Sequence, residues 1–323
     1  MSVARPSIWT GGKLAGMAAV LVGSIAAPAL VGNPYYISVM TNTAIAVMLT
    51  LSMNLVNGIS GQFSLAHAMF YGLGAYIPAL LALRLGIDPW LGLPIAVAAT
   101  AAVAVAIGIP VLRLRGYYLA VATLAFALFV ELFVRQATDV TGGAYGLQNL
   151  PPLKLFGLTI KGTSYLVVAI VAVLLTYVAL ENLRASTLGR SIMAARDSAP
   201  AAAAAGIDVA KVRVAAFAIS AGIAGLAGWT QAFFSLNLTP HLFSTELTFL
   251  WIFMVLIGGM GHTTGVILGT IFLTIAPELL GFATTQQVLA LGIIMIVVAL
   301  FAPRGLGGLL DGLLRRRRVE AVQ

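Results

Sequence analysis

The sequence has few charged residues and no cysteine. Charged side chains make up 9% of its 323 residues, whereas 60% of the residues are apolar. A water-soluble domain has roughly 25% charged residues, and a disordered chain combines low hydrophobicity with high charge. Both of these classes are therefore excluded. The absence of cysteine also excludes disulfides, thiol nucleophiles and cysteine-based metal sites.

The sequence motifs of several enzyme classes are missing as well. There is no G-x-x-x-x-G-K-[ST] loop for ATP, no G-x-S-x-G elbow, and no H-E-x-x-H pair among the three histidines. Ser64 and His67 are three residues apart and could share a helix face, which leaves an intramembrane protease as one alternative. No carboxylate lies near them in the sequence, so we expect that the chain is not an enzyme.

Long apolar runs fill most of the chain and predict an all-α, polytopic transmembrane helical bundle. A spanning helix needs about 20 mostly apolar residues. Ten candidate spans are found: Leu14–Val31, Tyr36–Val56, Leu65–Leu83, Pro89–Leu112, Tyr117–Val134, Thr163–Leu180, Val214–Leu236, Leu247–Met260, Gly265–Leu280 and Gln286–Phe301. The eighth and ninth are short, and glycines separate them. They form either one re-entrant hairpin or two tilted helices joined by a tight turn.

The basic residues predict the orientation of the bundle, because cytoplasmic loops carry an excess of Lys and Arg. With ten spans and a cytoplasmic N-terminus, fourteen of the eighteen basic residues fall inside, and both chain ends are cytoplasmic. The four outside are Arg84, Arg135, Lys154 and Lys161. The net charge of +8 is therefore assigned to the membrane surface and not to nucleic acid. The expected domains are a cytoplasmic segment 1–13, a membrane domain 14–302 and a basic cytoplasmic tail 303–323.

Two loops are candidates for function. The external loop Arg135–Gly162 contains Thr141-Gly142-Gly143, which predicts a tight turn because glycine permits backbone conformations that a Cβ disfavours. The internal loop 181–213 carries five basic residues and an alanine-rich stretch. This composition predicts a short helix within Met193–Ala205, broken or started near Pro200 and ended by Gly206. Such a helix, flanked by charge, suits docking on a soluble partner.

Polar residues within the apolar runs indicate where a solute could pass. Glu131 precedes Arg135 by four residues, and the two form either a pore-side pair near the outer mouth or a self-neutralised interfacial pair. The stretch Gly58–His67 is rich in glycine and hydrogen-bonding side chains. It is either a substrate-lining interruption of a helix or a turn that lets two helices pack closely. The candidate path residues are Asn54, Gln62, Ser64, His67 and Glu131.

An ordered set of motifs resembles the M-type permease of branched-chain amino acid ABC importers (LivM-like). The blocks that carry the resemblance extend over residues 33 to 308. They are Asn33–Tyr36, Asn54–Gly58, Gly61–His67, Tyr71–Tyr76, Arg113–Leu124, Glu131 to Arg135, Thr141–Leu147, Gly189-Arg190, Ala194–Asp197, Ala202–Ile207, Lys211, Ala215–Gly228, Gly258–Gly261, Gly265-x-x-x-Gly269 and Phe301–Gly305. Single pieces are common in membrane helices, whereas the ordered set is specific.

The resemblance implies a subunit of a bacterial inner-membrane importer. Its partners would be a second, LivH-like permease, two LivG- and LivF-like ATP-binding subunits and a periplasmic substrate-binding protein. ATP and Mg would be bound by those ATPases, so no cofactor is expected in this chain. Branched-chain amino acids are the expected substrates, and near relatives carry urea, short amides or aromatic carboxylates. The alternative from another class is a stand-alone ion-coupled carrier, which Glu131, Glu246 and Glu278 disfavour because they lie near span ends.

The resemblance also implies two functional segments. An ATPase-coupling motif, Glu-Ala-Ala-x-x-x-Gly, aligns on Ala201, Ala202 and Gly206, with Pro200 in place of the glutamate. The full set of expected coupling residues is Gly189, Arg190, Arg196, Asp197, Ala201, Ala202 and Gly206. An external gate is expected at Thr141, Gly142, Gly143 and Tyr145. Tyr145 stands where relatives carry Asn or Asp, which leaves the exact substrate open.

Overall fold

The structure is a computed structural model that describes residues 33–114, 116–155 and 157–279, together with Gly292, Gly305 and Gly308. The first and tenth predicted spans, Leu14–Val31 and Gln286–Phe301, lie outside the described residues, as do the N-terminal segment and most of the basic tail. The count of ten spans and the cytoplasmic placement of both chain ends therefore stay predictions.

The described chain is an all-α, multi-pass membrane protein. Its helices are α1 (Pro34–Met53), α2 (His67–Leu85), α3 (Pro89–Val111), α4 (Tyr117–Gln136), α5 (Thr138–Thr141), α6 (Thr163–Ala185), α7 (Thr187–Asp197), α8 (Ala199–Ala204), α9 (Val209–Ser235), α10 (Thr245–Gly258) and α11 (Thr263–Leu279). Among the described residues, six helices are long and apolar enough to cross a membrane, and α10 and α11 are shorter apolar helices. The eight predicted spans in this part of the chain each coincide with a helix, within five residues at either end.

The first described helix is the centre of the bundle. In α1 and its extension, 78% of the most apolar stretch is buried, against 28% in α3 and in α4, which therefore lie at the periphery. Helix α9 packs between α2 and α3 through glycines. A Cβ on Gly225 would lie 2.3 Å from the Thr100 hydroxyl, and one on Gly228 would lie 2.1 Å from the Tyr71 carbonyl oxygen. Small residues are needed wherever helices approach this closely.

The described helices meet in two opposite sets of connections. At the hairpin end, a two-stranded antiparallel hairpin, β1 (Lys154–Leu155) with β2 (Leu158–Thr159), packs near the start of α3, where the Trp90 indole donates to the Lys154 carbonyl (2.8 Å). The Leu147 and Leu238 backbones also pair at this end. We refer to residues 186–208, which connect α6 to α9, as the linker. At the linker end lie α7, α8 and residues 60–62, where the Gln62 amide donates to the Arg213 carbonyl (3.2 Å).

The short helices α10 and α11 are joined by a turn at residues 259–262 that lies at the linker end. The Thr263 hydroxyl donates to Glu181 (2.9 Å), and Arg184 donates to Thr263 (2.8 Å). Both partners lie in the last turns of α6. Because α10 begins at the hairpin end, it crosses the bundle to reach this turn. Both predicted alternatives, a re-entrant hairpin and two tilted spans, contain such a turn, and the choice between them stays a prediction.

The helix predicted within Met193–Ala205, broken or started near Pro200, is found as two helices, the second of which begins just before Pro200. The linker contains two helices, α7 and α8, which are separated by Ser198 in an extended conformation (φ −154°, ψ 102°). The Ser198 hydroxyl caps α8 by accepting the Ala201 N–H, and Pro200 occupies the first turn, where its missing N–H costs nothing. The predicted end at Gly206 is confirmed by its left-handed backbone (φ +83°).

Candidate translocation site

A helix interruption lies at the linker end of the bundle. Helix α1 continues into a π-helical turn, Asn54–Ile59, after which residues 61–66 have no regular structure until α2 begins at His67. Irregular backbone at membrane depth is tolerated only where protein or a water-filled cavity covers it. Here most of the interrupted segment is buried. We refer to residues 54–67 as the interrupted segment.

Side chains replace the hydrogen bonds that the interrupted segment loses. The Asn57 amide bridges Ser64 by accepting its N–H (3.0 Å) and donating to its carbonyl (3.4 Å). The hydroxyls of Thr123 on α4 and Thr248 on α10 accept the N–H groups of Leu65 and Ala68, at 3.0 and 3.1 Å. Because unpaired buried backbone groups are costly, these contacts fix the path of the segment.

Asn54 ties the interrupted segment to the turn between α10 and α11. Its side-chain oxygen accepts the N–H of Gly261 (2.7 Å). A Cβ on Gly58 would lie 2.2 Å from that oxygen and 2.5 Å from the Gly261 nitrogen. Glycine at position 58 is therefore required for the two elements to meet. The sequence contained this signal only as a Gly-rich run, which does not specify the partner.

Ser64 and His67, whose spacing would allow a shared helix face, have different hydrogen-bond partners. The His67 ring is fully buried and its Nε2 lies 3.0 Å from the Ser220 hydroxyl, whereas the Ser64 hydroxyl accepts the Ala66 N–H (3.3 Å). Ser220 is in turn bonded to Ser52 through the Ser52 carbonyl (2.8 Å). Among the predicted path residues, Asn54, Gln62, Ser64 and His67 are all buried and bonded within the chain. Their contact with a solute stays a prediction.

A cavity of about 670 Å³ opens at the hairpin end between α4 and residues 239–246. Glu131 and Arg135 line its α4 side and form an ion pair (2.9 Å), which confirms their predicted contact. The opposite wall includes His241 and also Glu246, which lies in the first turn of α10. We refer to this feature as the outer cavity. It brings charges of both signs to one open surface.

Sequence reasoning gave no role to His241 and treated Glu246 only as a residue near a span end. The sequence signal for Glu246 was its position near the start of a predicted span. Glu246 follows Ser244, whose hydroxyl accepts the Glu246 N–H (3.2 Å) and caps α10. A short helix that begins with a capped acidic turn at the hairpin end places a carboxylate at that end of the bundle. Its closeness to Arg135 depends on tertiary packing, which the sequence does not reveal.

The predicted tight turn at the external loop is confirmed. Gly142 and Gly143 both have left-handed backbones (φ +77° and +57°), and a Cβ on Gly142 would lie 2.0 Å from the Gly146 carbonyl oxygen. The Thr141 hydroxyl is buried and donates to the Val134 carbonyl (2.6 Å), which ties the turn to the end of α4. Tyr145 is 84% exposed. The gating role of this turn stays a prediction.

The predicted coupling residues divide into two groups. Gly189 and Ala202 are buried, and a Cβ on Gly189 would lie 2.0 Å from the Leu183 carbonyl oxygen, so these two positions serve packing within the chain. The other predicted residues are exposed: Arg190, Arg196, Asp197, Ala201 and Gly206. Arg196 reaches the interrupted segment, because a Cβ on Gly61 would lie 2.9 Å from its Cγ.

The apolar crossing helices and the interruption define a multi-pass membrane transport protein. Comparison with known families agrees: the model of the branched-chain amino acid transport system / permease component matches residues 35–300. The chain belongs to this family. It is therefore a permease subunit and not an enzyme.

Individual relatives support the family assignment. The chain is 32% identical to the high-affinity branched-chain amino acid transport system permease protein LivM of Escherichia coli (strain K12), over 90% of this chain and 74% of the relative. The Salmonella typhimurium (strain LT2) protein of the same name is also 32% identical, over 89% and 73%. The probable LivH permease of Methanocaldococcus jannaschii is 26% identical over 86% and 91%. No solved structure matches the chain.

Proposed function

We propose that this permease subunit carries branched-chain amino acids across the bacterial inner membrane, driven by ATP that partner subunits hydrolyse. The names of its relatives support this substrate class. The likeness to both LivM and LivH proteins supports assembly with a second, similar permease. Two ATP-binding subunits, which hold ATP and Mg, and a periplasmic binding protein complete the proposed importer.

The outer cavity is the observation that favours an amino acid over the other candidate solutes. A zwitterion carries a carboxylate and an ammonium group, and the cavity offers a guanidinium and carboxylates. Arg135 is 53% exposed, and its guanidinium has five N–H donors, so it can bind a second carboxylate while it holds Glu131. Glu246 supplies the acceptor for an ammonium group. Neutral urea would form an ion pair with neither the guanidinium nor a carboxylate, and an aromatic carboxylate would pair only with the guanidinium.

Uptake by the reconstituted importer tests this proposal. Glu246→Gln and Arg135→Gln should each raise the KM for leucine about 10- to 100-fold, since each removes one charge-assisted hydrogen bond. Lys154→Gln is the matched control, because it removes a charge from the same end outside the cavity. Uptake of urea or benzoate at rates above that of leucine, or unchanged leucine KM in both variants, would contradict the substrate assignment.

The linker is the proposed ATPase-coupling element. Its support is the position of Arg196, which lies beside Gly61 of the interrupted segment and within 3.5 Å of a Cβ built on Gly261. A displacement of α7 and α8 would therefore bear on both the interrupted segment and the turn between α10 and α11. Two states of the ATPases would bias two states of the pore through this contact.

The proposed orientation places the linker end in the cytoplasm and the hairpin end in the periplasm. The excess of basic residues in the predicted inner loops supports it. Single cysteines at Arg190 and Lys154 test it without competing thiols, because the native chain has no cysteine. Position 154 should react with an impermeant reagent in spheroplasts, and position 190 should react only after lysis. The reverse pattern would overturn the orientation.

A further inference from the structure

A second cavity, of about 780 Å³, lies at the linker end between α3 and α9. One wall is apolar and includes Val105 and Ile109, which are one helical turn apart on α3 and are 37% and 53% exposed. Its basic rim consists of Arg113, which follows the end of α3, and of Lys211 and Arg213, which lie in the first turns of α9. The cavity is thus apolar within the span and basic where the span ends.

The charge of the rim indicates which class of ligand the cavity can bind. Three cations face one carboxylate, that of Asp208, which forms an ion pair with Lys211 (3.1 Å). The Lys211 backbone N–H also donates to Asp208 (3.1 Å), and this bond holds the pKa of Asp208 below its usual value. Asp208 is therefore already engaged with Lys211, and the lining as a whole carries three positive charges and one negative charge, which favours a ligand that carries negative charge.

We propose that this cavity binds an anionic phospholipid, with its phosphate at the basic rim and an acyl chain against Val105 and Ile109. The combination of a basic rim with an apolar wall favours a lipid over a soluble anion, because a free phosphate would make no favourable contact with the apolar wall. It argues against a soluble protein, because that wall lies within an apolar span. Basic pockets between transmembrane helices on the cytoplasmic side suit anionic headgroups.

Lipid retention by the purified importer tests this site. Native mass spectrometry should find phosphatidylglycerol bound to the wild-type complex in mild detergent. Arg113→Gln and Arg213→Gln should each reduce that retention about fivefold, which is the effect expected for one basic residue near a membrane surface. Lys161→Gln, which removes a charge at the hairpin end, is the matched control. Unchanged retention in the Arg113→Gln, Arg213→Gln double variant would overturn the proposal.

A substitution in the apolar wall gives an independent test of whether the ligand is a phospholipid or free phosphate. Ile109→Ser should also reduce phosphatidylglycerol retention, while leaving the basic rim intact. The unfolding midpoint of the importer should rise in vesicles that contain phosphatidylglycerol. It should not rise in vesicles of pure phosphatidylcholine with added inorganic phosphate. Equal stabilisation by inorganic phosphate would identify an ion site and overturn the lipid assignment. If an arginine variant fails to assemble, Ile109→Ser and the vesicle comparison still decide the question.

Discussion

The interrupted segment and the outer cavity use polar residues in opposite ways. At the interrupted segment, Asn57 and the neighbouring hydroxyls of Thr123 on α4 and Thr248 on α10 are buried and bonded to backbone. In the outer cavity, Arg135 and Glu246 are exposed to the opening. The first group determines where the chain runs, and the second remains available to a solute. Polar residues in a membrane protein are therefore not equally strong candidates for a transport path.

The largest effect is expected from removing the side-chain hydrogen bonds that hold the interrupted segment. Asn57→Leu leaves the N–H and carbonyl of Ser64 without their partner, and each unpaired buried group costs about 1–3 kcal/mol. We expect a large fall in the thermal unfolding midpoint of the complex and loss of assembled importer. Gln148→Leu, an exposed amide at the hairpin end, is the control. A normal midpoint for Asn57→Leu would show that these bonds do not hold the segment.

The sequence was sufficient to predict the helices but not the partners of their polar residues. Apolar runs identified eight of the described helices, six of which are long and apolar enough to cross a membrane, because a span must fill the bilayer. The start of α8 near Pro200 was predicted, whereas the contact of Asn54 with Gly261 arises from tertiary packing. Glu131 and Arg135 were found because they are neighbours on one helix, whereas Glu246 is distant in the sequence and reaches the same cavity only through the fold.

The second-largest effect is expected from a substitution on the linker that tests its coupling to the ATPases. Ala202 is 4% exposed, so a bulky residue there would disturb the chain itself. Ala203 is exposed on α8 and is the better probe. Ala203→Trp should abolish substrate-stimulated ATP hydrolysis and uptake while the subunits remain inserted in the membrane. Ala102→Trp, at an exposed alanine of α3, is the control. Normal ATP hydrolysis and uptake in Ala203→Trp would show that this face of α8 does not dock on the ATPase.

A smaller effect is expected at the external turn. Gly142 and Gly162 both have a positive φ (+77° and +56°), but of the two only Gly142 would bring a Cβ against a neighbour. Valine strains both positions, and Gly142→Val adds a clash with the Gly146 carbonyl. We expect Gly142→Val to reduce the uptake rate severalfold more than Gly162→Val, with similar amounts of assembled complex. Equal uptake by the two variants would argue against a gating role for the turn.

The smallest effect separates stability from transport in the outer cavity. The ion pair of Glu131 with Arg135 is partly exposed, with side-chain exposures of 16% and 53%. Such pairs contribute about 0–1 kcal/mol to stability. Glu131→Gln should therefore leave the unfolding midpoint almost unchanged, in contrast to Asn57→Leu. A change in leucine KM without a change in midpoint would place Glu131 on the solute path, whereas a large fall in midpoint would assign it a structural role like that of Asn57.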